Sequence, residues 1–198
     1  MANFKIFANI LQQGSTAGFA AAQTKQARDW YREKAGEVAR VDQRTILNDK
    51  DRFAKVPLPG HMYIFSYDPK TKDDLPYYDR LPLIFPFRIV GSSMYGINMH
   101  YLPPVYRAQL MDALYSTVSD TKYDENTRLR ITYDILTKAS RYRFFKPCVK
   151  QYLNSHIRSR LVKIQPTEWD MALFLPLERF QKASKQRVFK ESIKQFQR

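Results

Sequence analysis

The chain has 198 residues, 44% of them hydrophobic and 14% aromatic, and a net charge of +14. That apolar content builds a real core and excludes global disorder, while no run reaches the roughly 18 to 20 apolar residues that span a bilayer. The single cysteine, Cys148, excludes an intrachain disulfide and a Cys-rich metal site, which fits a reducing compartment or one indifferent to thiols.

In chain order, residues 1–23 are small and mixed in polarity, with Gly14, Gly18 and a run of alanines. Asn3, Lys5, Asn9, Gln12 and Gln13 break their apolar character, so the segment reads as mature protein and not as a secretory signal. From Thr24 to Val41 the spacing predicts a helix that Thr24 caps and Trp30 anchors. PLPG at 57–60 closes what reads as an N-terminal arm, residues 1–60.

HMYIFSYD (61–68) alternates and is rich in aromatic and β-branched residues, the chemistry of a strand. A loop with two prolines follows at 68–80. LPLIFPFRIV (81–90) predicts a second strand, which Pro82 and Pro86 confine to an edge, a bulge or a strand start. GSSMYGINMHYL (91–102) predicts a turn and a third strand, with Gly96 at a bulge or a close backbone approach. Three strands in so short a span predict an antiparallel meander.

Residues 103–118 read as an amphipathic helix on Tyr106, Leu110, Leu114 and Val118. A second covers about 125–140, with Leu129, Tyr133 and Leu136 inward. Pro147 is expected to open a third, 147–157, burying Val149, Leu153 and Ile157. SRLVKIQP (159–166) returns to a strand, and 168–180 reads as a strand ending at Pro176. The tail has a weak helical period. The fold class is therefore α+β: a small antiparallel sheet or partly closed barrel of about five strands with a helical insertion. The expected divisions are the arm 1–60, a core 61–180 and a basic tail 181–198.

Charge is unevenly spread. Residues 1–60 carry ten basic and six acidic side chains, 61–140 nine and nine, and 141–198 fourteen and four. The stretch RYRFFKPCVKQYLNSHIRSRLVK (141–163) has no acidic residue at all. Such asymmetry favours a polyanionic partner. Arg141, Arg143, Lys146, Lys150, Arg158, Arg160, Lys163, Lys182, Lys185 and Arg187 are the candidate DNA-binding residues. On the predicted helix Lys146, Lys150 and Asn154 would share one face. Phe144 and Phe145 read first as core, with base stacking as the second possibility. Nothing resembles a base-reading helix, so binding should be sequence-independent.

Catalytic constellations are missing from the sequence. His61, His100 and His156 stand in separate elements without metal-ligand spacing. No phosphate-cradling glycine motif occurs, and no cofactor is expected. Cys148 reads as a core thiol. The strongest enzymatic candidate is the loop DPKTKDDLPYYD, where Asp68, Asp73, Asp74 and Asp79 could hold magnesium in a nuclease. A solvated turn between strands explains the same residues.

The segments MYIFSYDPKTKDDLPYYDRLPLIFPF, MYGINMHYLPPVYRAQLMDAL, RYRFFKPCVKQYLNSHIRSR and WDMALFLPLERFQKASKQRV resemble a family of virion proteins of contractile-tailed bacteriophages (myoviruses) associated with DNA end protection. The likeness runs from about residue 24 to the C-terminus. It implies a low-copy structural protein at the termini of packaged DNA, entering with the genome and shielding the ends from the host's recombination exonuclease. Virion and host cytoplasm are the implied locations. Beside the best-known members the chain is short, so the resemblance does not by itself imply the function of an extra domain, and no contact residues carry over. The expected partners are duplex DNA ends and other phage virion subunits, the latter through residues 1–60, with no membrane. A structural connector, neck or baseplate subunit with protein contacts only is the alternative reading, and a magnesium-dependent nuclease the third.

Overall fold

A computed structural model describes residues 50–102, 122–164 and 177–197, with single positions at 13, 16, 17, 26, 30, 33, 110, 114 and 169. Its strands are β1 (Phe53–Ala54), β2 (Met62–Ile64), β3 (Tyr78–Asp79), β4 (Leu83–Val90), β5 (Ser93–Asn98), β6 (Val149–Leu153), β7 (Leu161–Ile164) and β8 (Phe180–Gln181). Two described helices are α1 (Glu125–Arg141) and α2 (Lys185–Gln197). Six strands form one antiparallel sheet in the order β1-β7-β2-β4-β5-β6, and β3 pairs with β8 apart from it. The sheet is open, with β1 and β6 at its edges, so the α+β expectation holds and the barrel alternative falls away.

The meander expected over 61–102 is the neighbouring trio β2, β4 and β5. Strand alternation divides its apolar residues between two faces. Met62, Ile64, Leu83, Phe85, Ile97 and Val162 enter the larger core with Leu110, Leu114, Leu136, Trp169 and Val188. Tyr63, Phe65, Tyr67, Ile84, Met94, Tyr152 and Leu161 form a second cluster. Phe85 and Trp169 meet edge to face at 4.9 Å, a geometry that suits the ring quadrupoles.

Pro86 does not mark an edge. It lies in a strand flanked on both sides, and the register shifts between Pro86 and Arg88. The bulge removes the need for the amide that proline lacks. Gly96 pairs with Pro86 there. A Cβ on Gly96 would stand 3.0 Å from the Phe85 carbonyl oxygen, so the expected close backbone approach is present.

α1 begins at Asp124, whose Oδ1 accepts the Thr127 amide at 2.7 Å. It lies between β5 and β6 in the chain, as the helical insertion requires. Its buried stripe is Thr132, Leu136 and Ala139. Leu129 is half-buried, and Tyr133, expected inward, is exposed. The stripe is narrower than the apolar positions implied, because only the i, i+4, i+7 line faces the core.

The third predicted helix does not form. Residues 143–148 make a 3₁₀ segment that Pro147 ends rather than opens, and Val149–Leu153 is a strand paired along β5. VKQYL has no clean alternation of apolar and polar residues, and the hydrogen bonds offered by β5 outweigh a helical reading based on i, i+4 apolar residues. Val149, Leu153 and Ile157 are accordingly half-buried, and Tyr152 is the buried residue. α2 replaces the weakly periodic tail and buries Val188 and Ser192 against the 3₁₀ segment. Most of the helices predicted at 24–41 and 103–118, and the strand predicted at 168–180, lie outside the described residues. Leu110 and Leu114 are nonetheless helical and buried, and Trp169 is buried in a helical conformation.

Candidate nucleic-acid interface

β6 leads away from the 3₁₀ segment at one end and into the 154–160 connection at the other. Five extended residues cover about 13–17 Å, so the candidate cations between 141 and 160 fall into two groups. Arg141 and Lys146 stand exposed at the α1 end, on the last residue of the helix and on the 3₁₀ segment. The side chain of Arg143 lies outside the described residues. Arg158 and Arg160 stand exposed at the far end. The lysine face imagined for a helix at 147–157 is therefore absent.

Lys150 has a different role. It is half-buried, with Nζ 4.2 Å from the centre of the Tyr101 ring. Burial lowers its pKa, and Cys148 opposes that shift. Tyr101 in turn packs edge to face on Phe180 at 5.1 Å. Lys163 lies in β7 opposite Tyr63 and is half-buried.

The remaining candidates are engaged internally. Lys182, in the left-handed region at φ 66°, donates its ammonium to the carbonyls of Lys72, Asp73 and Leu75 at 2.7, 2.8 and 3.2 Å. Lys185 pairs with the nearly buried Glu178 carboxylate at 2.9 Å. Arg187 pairs with Glu191 at 2.8 Å. Arg158 holds only a loose contact, 3.8 Å, with Asp68. Among the described residues no carboxylate is within ion-pair distance of Arg141, Lys146 or Arg160. These three cations can meet phosphates without first breaking a bond.

The acidic loop is dispersed in space. Asp68 pairs with Lys72 at 3.2 Å, and Asp73 and Asp74 are exposed. Asp79 is buried, its Oδ2 2.7 Å from His100 Nδ1. Asp79 Oδ1 accepts the amides of Leu81 (3.0 Å) and Arg179 (3.2 Å). Asn98 Nδ2 donates to Asp79 Oδ2 at 3.3 Å and to Tyr152 Oη at 3.0 Å. Burial pushes the Asp79 carboxyl up, but His100 and the two amides outweigh it and the net shift is downward. The network joins the β3–β8 pair to β5 and β6; besides the Asp79–Leu81 turn, its bonds link residues 19 to 100 positions apart in sequence, so no local motif marks it. Among the described residues no group of three or more His, Cys, Asp or Glu could hold a metal ion, and no described helix is long and apolar enough to cross a membrane.

The family whose description is phage T4 terminal DNA protecting protein matches residues 4–195. The chain belongs to that family. No curated protein and no solved structure matches it. A second surface feature lies at the other end of α1, a groove of about 540 Å³ lined by Pro59, Phe87, Ile89, Leu129 and Tyr133 with Arg88 and Arg130.

Proposed function

We propose that this member of the family acts by occupancy and not by chemistry: it sits on duplex ends and denies them to exonucleases. The observation that carries this reading is the exposure of Arg141, Lys146 and Arg160 without carboxylate partners among the described residues, in a third of the chain with ten more basic than acidic side chains (fourteen against four). Phosphate contacts fix position but read no sequence. Arg141, Lys146 and Arg160 stand on a helix end, a 3₁₀ turn and a loop, none of which lays a helix along base edges. Binding is therefore sequence-independent.

Of the ten cations named from sequence, Arg141, Arg143, Lys146, Arg158 and Arg160 form the proposed contact set. Lys150, Lys163, Lys182, Lys185 and Arg187 serve the fold first and add to the field around it. The groove at Phe87 and Tyr133, with Val56 and Leu58 exposed nearby in sequence to Pro59, supports a further contact between residues 1–60 and other virion subunits.

Titration of linear and circular duplexes of equal length, at several salt concentrations and with and without magnesium, tests the reading. Preference for the linear form, a steep salt dependence and intact DNA are expected. Cleavage that needs magnesium would replace it with the nuclease reading. Weak binding to both forms would leave a virion subunit whose basic third meets acidic protein.

A further inference from the structure

A duplex end differs from duplex interior in one feature that charge alone cannot detect: the terminal base pair exposes a bare π face. Cations that meet phosphates bind both with little distinction. A flat group that covers that face, placed among the cations, favours the end over the interior.

We infer that Tyr142 is this group, stacking on the terminal base pair while Arg141 and Lys146 hold the flanking phosphates. The inference rests on the DNA-end reading given above. Tyr142 is 61% exposed, against 40% for Tyr123 and 38% for Tyr133, the other exposed large aromatics among the described residues. Its backbone is nevertheless held on both sides: its amide donates to the Ala139 carbonyl at 2.9 Å, and its carbonyl accepts the Phe145 amide at 3.0 Å. The ring thus projects from a fixed junction between α1 and the 3₁₀ segment, so little backbone order has to be acquired on binding.

Electrostatics separates it from its rivals. Residues 135–167 contain no Asp or Glu, whereas Tyr123 and Tyr133 are each followed by an exposed aspartate, Asp124 and Asp134. The C-terminus of α1 carries the partial negative charge of a helix end, roughly half an elementary charge. Lys138 and Arg141 in its last turn, with Lys146 beyond, outweigh it. Of the two sequence-based candidates for stacking, Phe145 packs half-buried against the core and is not available, and the side chain of Phe144 lies outside the described residues.

The test uses the full chain as wild type, Tyr142→Ala and Tyr142→Phe, with a blunt linear duplex and a covalently closed circle of equal length. A second readout places 2-aminopurine at the terminal or at a central position of the linear duplex. Stacking needs the ring and not the hydroxyl, so Tyr142→Phe keeps the linear preference and the terminal fluorescence quench. Tyr142→Ala lowers affinity for the linear duplex about 5- to 100-fold, abolishes the terminal quench, and leaves circle affinity and its salt slope unchanged. Because the side chain is exposed, the unfolding midpoint of Tyr142→Ala should match wild type. If Tyr142→Ala retains both linear preference and quench, the stacking role is overturned and the DNA-end reading stands. If wild type shows no linear preference, the DNA-end reading fails and the stacking role with it.

Discussion

Replacing Asp79 by Asn keeps the shape of a side chain that is 4% exposed and changes one set of hydrogen bonds. The carboxamide oxygen can still accept from Leu81 and Arg179. Its nitrogen, however, now faces two groups that met an acceptor, the Asn98 amide at 3.3 Å and His100 Nδ1 at 2.7 Å. Hydrogen bonds to a charged group contribute about 1.5–3 kcal/mol each, and a change of His100 tautomer can recover one of the two. A loss of about 2–4 kcal/mol follows, a large part of the 5–15 kcal/mol typical of a domain. Asp79→Ala removes the acceptors of all four donors and costs about 3–5 kcal/mol or more. Urea unfolding at neutral pH measures both. The wild-type stability also depends on pH through this carboxyl. The folded carboxyl titrates below its ordinary value of 3.8, so its contribution is complete above about pH 4 and is lost as pH falls through the lower, folded value. The deficit of Asp79→Asn should shrink over that acidic range. A change within about 0.5 kcal/mol at neutral pH, as for an ordinary surface substitution, would refute the account of the network.

Three further outcomes follow. Gly96→Ala puts a Cβ 3.0 Å from the Phe85 carbonyl and 3.1 Å from Ile84 Cδ1, which should cost about 1–3 kcal/mol and lower the melting temperature by roughly 3–10 °C; an unchanged Tm would show that β4 yields at its bulge. Lys182→Met frees three carbonyls of the 72–75 turn, and limited proteolysis should then cut near residues 72–76 at rates the wild type resists. Arg141→Ala and Arg160→Ala should each reduce the slope of log affinity against log salt by about 0.9 on duplex DNA, while Lys185→Met, whose charge is matched by Glu178 at 2.9 Å, should change it little. Equal effects from all three would mean that overall charge matters and the exposed cations do not form a particular site.

The elements that could be read in the sequence are those whose local pattern and tertiary environment agree. Met62–Ile64, Leu83–Val90, Ser93–Asn98 and Leu161–Ile164 are strands because β-branched and aromatic residues there also find strand partners. The Gly96–Pro86 pairing could be anticipated from two residues that fit a regular ladder poorly. Val149–Leu153 does not declare itself: Val149, Leu153 and Ile157 have the i, i+4 spacing of a helix, the segment lacks a clean strand alternation, and only the open edge of β5 makes it a strand. The basic third was legible as composition. Its division was not: whether a lysine meets solvent, a tyrosine ring or three carbonyls depends on residues up to 110 positions away. The same distance hides the Asp79 network, which turned a supposed solvated aspartate into a buried one. Tyr142 does not stand out in the sequence beside Phe144 and Phe145, because its exposure at the end of α1 is a property of the packing.

The most direct test of occupancy at DNA ends is a protection assay. A blunt linear duplex is first saturated with the protein in the presence of magnesium, then challenged with an exonuclease that requires a free end, over a series of salt concentrations. The account predicts an intact duplex before the challenge, a degradation rate that falls in proportion to end occupancy, and loss of protection as salt releases the protein. Degradation at the unprotected rate on saturated DNA, or cleavage by the protein alone, would contradict it.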